Sequence, residues 1–288
     1  LRSTLMGRLL RSSRGIFVGS LSSIPYLLLE FEEPVFLKLY FPPDGFGALE
    51  ENLLTPESNV YFDIHTIGNA DTIIDLGAHS GSFTIYSLLH SKPRAKIIAV
   101  EPDKNNYRLL LNNLLNNLKI FESVINEKKL RVLALRKAVW AKTGTLKFIK
   151  TRWSEGGYVA DTECDEVTCV DAITLDDIII ISSGKTIVKV DIEGAEIPVL
   201  AASSKLSMVS ELAIEAHGNT SYLIRLLKLK GYNPKIKVYR LNPHLARQWL
   251  KVKPKAYGLI IAIYRFLASS TYKPTITIVK ASRSHVKS

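Results

Sequence analysis

The stretch "TIVKVDIEGAEIPVL" at 186–200 places Lys189, Asp191, Glu193 and Glu196 in and just beyond a run of β-branched residues that reads as a buried strand. Buried charge is costly unless it is paired or used. Residues at i and i+2 share a strand face, so Lys189 can pair with Asp191 and relieve part of that cost. Gly194 permits a turn into a helix, and Glu196 falls in its first turn, where exposed N–H groups favour a carboxylate. Glu196 therefore reads as structural, whereas Asp191 at the strand end does not. The next strand, "SELAIEAHG" at 210–218, ends in Glu215 and His217, again two residues apart. Carboxylates and an imidazole then converge on one rim. Such a set can orient a hydroxyl and remove its proton, and an imidazole has the proton affinity for that at neutral pH. Asp191 is expected to orient the hydroxyl, with His217 or Asp191 as base and Glu193 and Glu215 completing the catalytic set. The same four side chains could instead hold a divalent cation that makes the hydroxyl more acidic. Nothing in their spacing fixes a coordination geometry, so the sequence does not support a metal.

Two further strand ends carry polar groups. "DLGAHSG" at 75–81 gives Asp75, Gly77 and Gly81. Glycines let the backbone approach a ligand, and the turn leads into a helix whose amino end favours negative charge. The glycine spacing matches neither the dinucleotide fingerprint G-x-G-x-x-G nor the phosphate loop G-x-x-x-x-G-K-[ST]. Glu101 ends the following apolar run, where an acid can accept both hydroxyls of a ribose. Asp75 and Glu101 together point to an adenosine-bearing ligand.

The elements that must position these residues follow from periodicity. From residue 71, short apolar runs ("TIIDLG", "KIIAVEP", "RVLALRKAV", "TIVKVDIEG", "SELAIEAHG") alternate with helical stretches ("SFTIYSLLHS", "DKNNYRLLLNNLLNNL", "TLDDIIII", "AEIPVLAASSKL"). This is the pattern of an α/β fold, a mostly parallel central sheet with helices on both faces, which binds ligands beyond the carboxyl ends of its strands. Residues 145–170 alternate without helical period and predict an inserted hairpin over the sheet. "KIKVYRL" and "TITIVKA" predict two closing strands with a basic helical excursion between them. Residues 1–70, punctuated by Pro42, Pro43 and Gly45, read as an N-terminal brace or lid on a domain of residues 71–288, with a motif core at 71–217 and a basic part at 218–288.

Taken together, the ordered blocks "IIDLGAHSGSFT", "AVEPDKNNYRLLLNNLLNN", "KAVWAKTGTLKF", "VDAITLDD", "VKVDIEGAEIPVL" and "LAIEAH" resemble the FkbM family of S-adenosylmethionine-dependent methyltransferases. The resemblance implies a Rossmann-like class I methyltransferase sheet, S-adenosyl-L-methionine as methyl donor, and an oxygen acceptor on a sugar, glycolipid or secondary metabolite. It implies that Asp75, Gly77 and Gly81 line the methionine part of the cofactor and that Glu101 holds the ribose. Asn113 and Asn117 would be structural helix-to-loop hydrogen bonders. Ala138, Val139 and Trp140 would border adenine, with Trp140 a stacking partner. His79 stands where the family usually has asparagine.

Composition adds limits. Residues 216–288 contain 15 Lys or Arg and no Asp or Glu, so the net charge of +11 is almost entirely C-terminal. Such a face suits an anionic partner or an acidic membrane surface. A ribose methyltransferase acting on RNA is one rival reading, and a non-catalytic protein that binds a partner or membrane is another. Methylation of base nitrogens is disfavoured, because "DIEG" stands where an Asp/Asn-Pro-Pro-aromatic run would be needed. The two cysteines, Cys164 and Cys169, read as small apolar filler in a reducing compartment, which suggests a cytoplasmic protein. No stretch reads as a spanning helix, but "YGLIIAIYRFLA" at 257–268 could lie against a membrane.

Overall fold

The computed structural model describes residues 15–21, 24–30, 36–42, 52, 59–117, 131–151, 157–165, 168–240 and 275–283. Three N-terminal strands, β1 (Gly15–Leu21), β2 (Ile24–Glu30) and β3 (Phe36–Tyr40), pair antiparallel as a small sheet. Helix α1 (Ile64–Asn69) follows, started by Asp63, whose carboxylate accepts the Thr66 N–H at 2.8 Å.

The main sheet then begins with the alternation expected. β4 (Thr72–Leu76), α2 (Ser82–His90), β5 (Lys96–Val100), α3 (Lys104–Asn116) and β6 (Val132–Leu135) form one wing. The expected third strand is shorter than its apolar run, because Arg136 and Lys137 interrupt it. The chain leaves the sheet there, and β7 (Ala138–Val139) joins a second sheet with β8 (Gly144–Ile149), β9 (Tyr158–Ala160) and β10 (Cys169–Ile173), in the order β7-β10-β8-β9. The insertion is thus a four-stranded sheet rather than a hairpin. Helix α4 (Leu175–Ile180) carries a capping box between Thr174 and Asp177. β11 (Thr186–Val190), α5 (Glu196–Ala202), β12 (Val209–Glu215), α6 (Thr220–Leu229), β13 (Tyr232–Arg240) and β14 (Thr275–Arg283) complete the chain.

The resulting seven-stranded order is β13-β14-β12-β11-β4-β5-β6, with β14 antiparallel to both neighbours and the other pairs parallel. This is a Rossmann-like class I methyltransferase fold. The order reverses between β4 and β11, so the carboxyl ends of those strands open a crevice. The two closing strands are as expected. The basic excursion between them and the apolar stretch 257–268 lie outside the described residues. Among the described residues, no helix is long and apolar enough to cross a membrane.

Period-2 alternation divides the core. Ile74, Leu76, Val188, Val190, Leu212 and Ile214 face α4, α5 and α6, whereas Ile73, Ala99, Ile187 and Ala213 face a cluster that includes Leu39, Phe41, Tyr61 and Phe83. Asn113 ties this second cluster together. Its carbonyl oxygen accepts the Tyr40 N–H at 2.6 Å, and its amide donates to Tyr40 O at 2.7 Å and to Ser80 O at 2.8 Å. Asn113 is thus the helix-to-loop bonder expected, whereas Asn117 donates back to Asn113 O of its own helix at 2.7 Å.

The cysteines correct the reading above. Cys164 and Cys169 form a disulfide across the turn entering β10, their Cα atoms 5.4 Å apart. Asp165 shapes that turn by accepting the Thr168 N–H and hydroxyl at 2.9 and 2.8 Å, which brings the two thiols within bonding reach. The unpaired-filler reading, and the argument for a reducing compartment that rested on it, therefore do not hold.

Helix α2 is buried along its whole length, and His90 at its end stacks on Tyr86 with ring centroids 4.6 Å apart while its Nε2 finds no partner. Burial pushes the His90 imidazole down to about 4. A depressed base stabilises the fold above its unfolded value near 6.5, and that contribution is lost as pH falls toward 4, by up to about 3 kcal/mol. Urea titrations of wild type and His90→Leu should therefore diverge between pH 6.5 and 4, with the variant showing the flatter pH dependence.

Candidate active site

The register of the parallel strands sets Lys189 of β11 beside Asp75 of β4, with Ala99 and Ala213 as the outer neighbours in the same row. Flanking alanines leave room for a charged pair on an otherwise apolar face. The Lys189 ammonium is 3.4 Å from Asp75 Oδ1 and 3.1 Å from Asp191 Oδ2, and it donates to Gly77 O at 2.6 Å. The Tyr61 ring lies over it, 5.2 Å to the centroid. Burial works against the ammonium, but Asp191 and Asp75 together hold its pKa above the ordinary lysine range. Burial pushes Asp75 upward despite Lys189, and its Oδ2 accepts the Thr84 hydroxyl at 2.6 Å. The pairing of Lys189 with Asp191 expected from sequence is present, and it extends to Asp75.

Gly77 (φ 75°) is the tight point of the first loop: a Cβ there would come within 1.7 Å of Asp191 O. The loops after β4 and β11 cross at this glycine. The Gly77 and Ala78 N–H groups both donate to Val100 O at 3.0 Å, which holds the first loop against the end of β5. Gly81 (φ 90°) precedes α2 and packs against Leu110. His79 also has positive φ, and its N–H donates to Glu101 Oε2 at 2.7 Å, while Glu101 Oε1 accepts the Asp103 N–H at 2.9 Å. Burial pushes Glu101 up to about 7.

One cleft connects these ends. Gly77, Ala78, His79, Glu101, Pro102 and Val139 line one side of it, and Tyr61, Lys189, Asp191, Glu193 and Glu215 the other. Phe148, Tyr158 and Val159 of the inserted sheet also border it. S-adenosylmethionine fits this lining: an acid for the ribose hydroxyls, apolar surface at Pro102 and Val139 for adenine, and carboxylates for the two cationic groups. Asp75 and Gly81, expected to line the cofactor, are not among the residues bordering the cleft: Asp75 is buried behind it, with Oδ1 3.4 Å from the Lys189 ammonium.

Trp140 does not take part. Its N–H pairs with Ile173 O at 3.1 Å, and the residue lines a separate small cavity with Thr174, Leu175, Val199 and Ser203. The strand pairing of β7 with β10 turns it away from the cleft, which corrects its expected place beside adenine. Ala138 and Val139 do border the cleft.

On the acidic side, the loop after β11 places Glu193 in a left-handed conformation (φ 52°), uncommon for a residue with a side chain. His217 Nε2 faces Asp191 Oδ1 at 3.9 Å, Glu193 Oε2 at 3.6 Å and Glu215 Oε1 at 3.6 Å. His217 Nδ1 is 2.9 Å from Glu196 Oε1, an oxygen that also accepts the Gly194 N–H at 3.1 Å. Glu196 is therefore structural in a wider sense than a first-turn carboxylate, since it fixes both the loop and the imidazole. The Tyr61 hydroxyl lies 2.7 Å from Glu215 Oε2 and 3.1 Å from Asp191 Oδ2. No motif in the sequence marked Tyr61.

Electrostatics revise the roles assigned from sequence. Burial disfavours charge on His217, but Glu196, Asp191 and Glu193 outweigh it and push the imidazole up to about 10. It is then an imidazolium at neutral pH with no lone pair for a proton, which corrects the expectation that it acts as base. Burial likewise opposes ionisation of Asp191, yet Lys189 and His217 hold its carboxyl below the usual range, so it too is a poor base. Burial pushes Glu193 up to about 7 and moves Glu215 in the same direction.

Comparison with known proteins agrees with this geometry. The Methyltransferase FkbM domain matches residues 75–250. No curated protein matches in sequence. Among solved structures, a methyltransferase FkbM from Methylobacillus flagellatus is 19% identical over 66% of this chain, with a TM-score of 0.41, and the match spans 49% of that chain. TYW2 from M. jannaschii, solved with AdoMet, is 12% identical over 93% of this chain and 92% of its own, with a TM-score of 0.40. Precorrin-6y C5,15-methyltransferase from Geobacter metallireducens is 14% identical over 76% and 85%, with a TM-score of 0.37. The assignment rests on the domain match, which takes in every strand end that lines the cleft from Asp75 onward: the chain belongs to the FkbM family of S-adenosylmethionine-dependent methyltransferases.

Proposed function

We propose that the protein methylates a hydroxyl oxygen of a sugar, glycolipid or other small metabolite. The observation that carries this reading is the cluster Asp191, Glu193, Glu215 and Tyr61, which shares one cleft with the glycine loop and Glu101. A hydroxyl acceptor needs hydrogen-bond acceptors for its proton, and this end of the cleft supplies them. The end of β11 offers neither the amide-proline run suited to exocyclic base nitrogens nor a cysteine nucleophile.

S-adenosylmethionine, when bound, supplies an electrophilic methyl group on a positively charged sulfur. The chain's residues do the rest. Glu101 would hold the ribose hydroxyls, and Asp191 would favour positive charge. Tyr61 and Glu215 position the acceptor hydroxyl. Glu193 is assigned as base on geometric grounds: it lines the cleft, and among the described residues its carboxylate is held only by the His217 ring at 3.6 Å. The acceptor's hydroxyl proton would pass to Glu193, leaving the oxygen's electron pair free for the methyl group that the bound donor would supply.

Calorimetric titration with S-adenosylhomocysteine tests the cofactor half of this reading. Wild type should bind, Glu101→Ala should lose roughly 10- to 100-fold in affinity with its charge-assisted hydrogen bonds, and Trp140→Leu should bind as wild type. Absence of binding by folded wild type would refute the assignment. Once an acceptor is found by screening hydroxylated glycans and metabolites, Glu193→Gln should reduce kcat by about 10²- to 10⁴-fold while leaving S-adenosylhomocysteine affinity unchanged. Turnover at the wild-type rate would remove Glu193 from the mechanism.

A further inference from the structure

Four carboxyl groups, Asp191, Glu193, Glu196 and Glu215, surround one imidazole and one ammonium, more acidic groups than the two cations can pair. Uncompensated charge in a partly buried site is costly. The way the side chains are held shows where compensation would sit. Asp191 turns Oδ2 to Lys189 and Tyr61 and leaves Oδ1 toward His217. Glu215 turns Oε2 to Tyr61 and leaves Oε1 toward the same ring. His217 gives Nδ1 to Glu196, whose side chain is 4% exposed, and leaves Nε2 toward both carboxylates. In each of the three residues a group outside the set fixes one polar atom and directs the other to a shared point.

We infer that Asp191 Oδ1, Glu215 Oε1 and His217 Nε2 bind a divalent cation on the acceptor side of the cleft. One ligand atom from each of the three residues lies within 4.8 Å of the others, and Nε2 is 3.9 Å from Asp191 Oδ1 and 3.6 Å from Glu215 Oε1. Ligands on a cation at about 2.1 Å stand roughly 3.0 to 3.4 Å apart, so seating the ion draws the two imidazole–carboxylate edges in by about 0.2 to 0.9 Å and the widest edge by up to about 1.8 Å. An imidazole buttressed through its other nitrogen by a carboxylate is the arrangement that fixes a metal-binding histidine. Two carboxylates and one imidazole suit Mn²⁺, with Mg²⁺ and Zn²⁺ as competitors. The ion replaces the proton on Nε2 and leaves coordination positions open toward the cleft, where it makes a nearby hydroxyl more acidic. That last role rests on the methyl-transfer reading above, whereas binding of the ion does not.

The probe is Mn²⁺ added to EDTA-treated full-length protein, followed by loss of the free-ion electron paramagnetic resonance signal. One ion per chain is expected, with nitrogen coupling from an imidazole in the pulsed spectrum of the bound ion. His217→Gln and Glu215→Gln should weaken uptake by 10-fold or more while binding S-adenosylhomocysteine as wild type does. No Mn²⁺ uptake by wild type, a bound ion without nitrogen coupling, or uptake unchanged in both variants would each overturn the site. Mn²⁺ uptake with nitrogen coupling in a protein that fails to bind S-adenosylhomocysteine would uphold the cation site and refute the methyltransferase reading instead.

Discussion

A buried ammonium organises this molecule. Lys189 has 5% of its side chain exposed, sits in the middle of the sheet, and holds Asp75, Asp191 and the Gly77 carbonyl at the point where the strand order reverses. Removing it would leave the buried Asp75 carboxylate, and the partly buried Asp191 beside it, without their cation, a change of the kind that costs roughly 3–5 kcal/mol for a buried pair. The surrounding sequence accommodates this charge in an ordered way: Ala99 and Ala213 make space beside it, and Tyr61 covers it. Fold and site are therefore coupled through one side chain.

From that centre the cleft divides by polarity. Toward Glu101 the walls combine backbone, proline and aliphatic surface with one acid and the polar side chains of His79, Asn106 and Lys137. Toward Glu215 the walls are carboxylates, a phenol and an ammonium. Two kinds of ligand surface share one opening, and the strand register sets the boundary between them, because Asp75 and Lys189 are direct neighbours across β4 and β11.

Much of this was legible in the sequence, for reasons that can be named. Five parallel strands were marked by β-branched runs, and their ends by acids and glycines that no buried strand would otherwise carry. The pairing of Lys189 with Asp191 followed from i, i+2 spacing. What was missed depended on contacts distant in sequence. Tyr61 sits in an apolar cluster with no local sign that its hydroxyl reaches Glu215. Trp140 was placed beside adenine by family resemblance alone, and nothing local showed that pairing of β7 with β10 would seat it in another cavity. His217 looked like a base because its unperturbed proton affinity was used, before three acids from another loop were known to face it. Cys164 and Cys169 were read through composition, while the turn joining them is set by Asp165.

The crossing at Gly77 bears on how such an enzyme can diversify. With Asp191 O occupying the volume a Cβ would need, the glycine loop and the loop after β11 share one path and constrain each other. Neither can be lengthened or rerouted for a new acceptor without disturbing the nucleoside end. Changes of substrate scope are therefore channelled into walls that do not touch this crossing, namely the segment carrying Tyr61 and the inserted sheet carrying Phe148 and Tyr158. Those are the regions where mutational libraries aimed at new acceptors have freedom to explore.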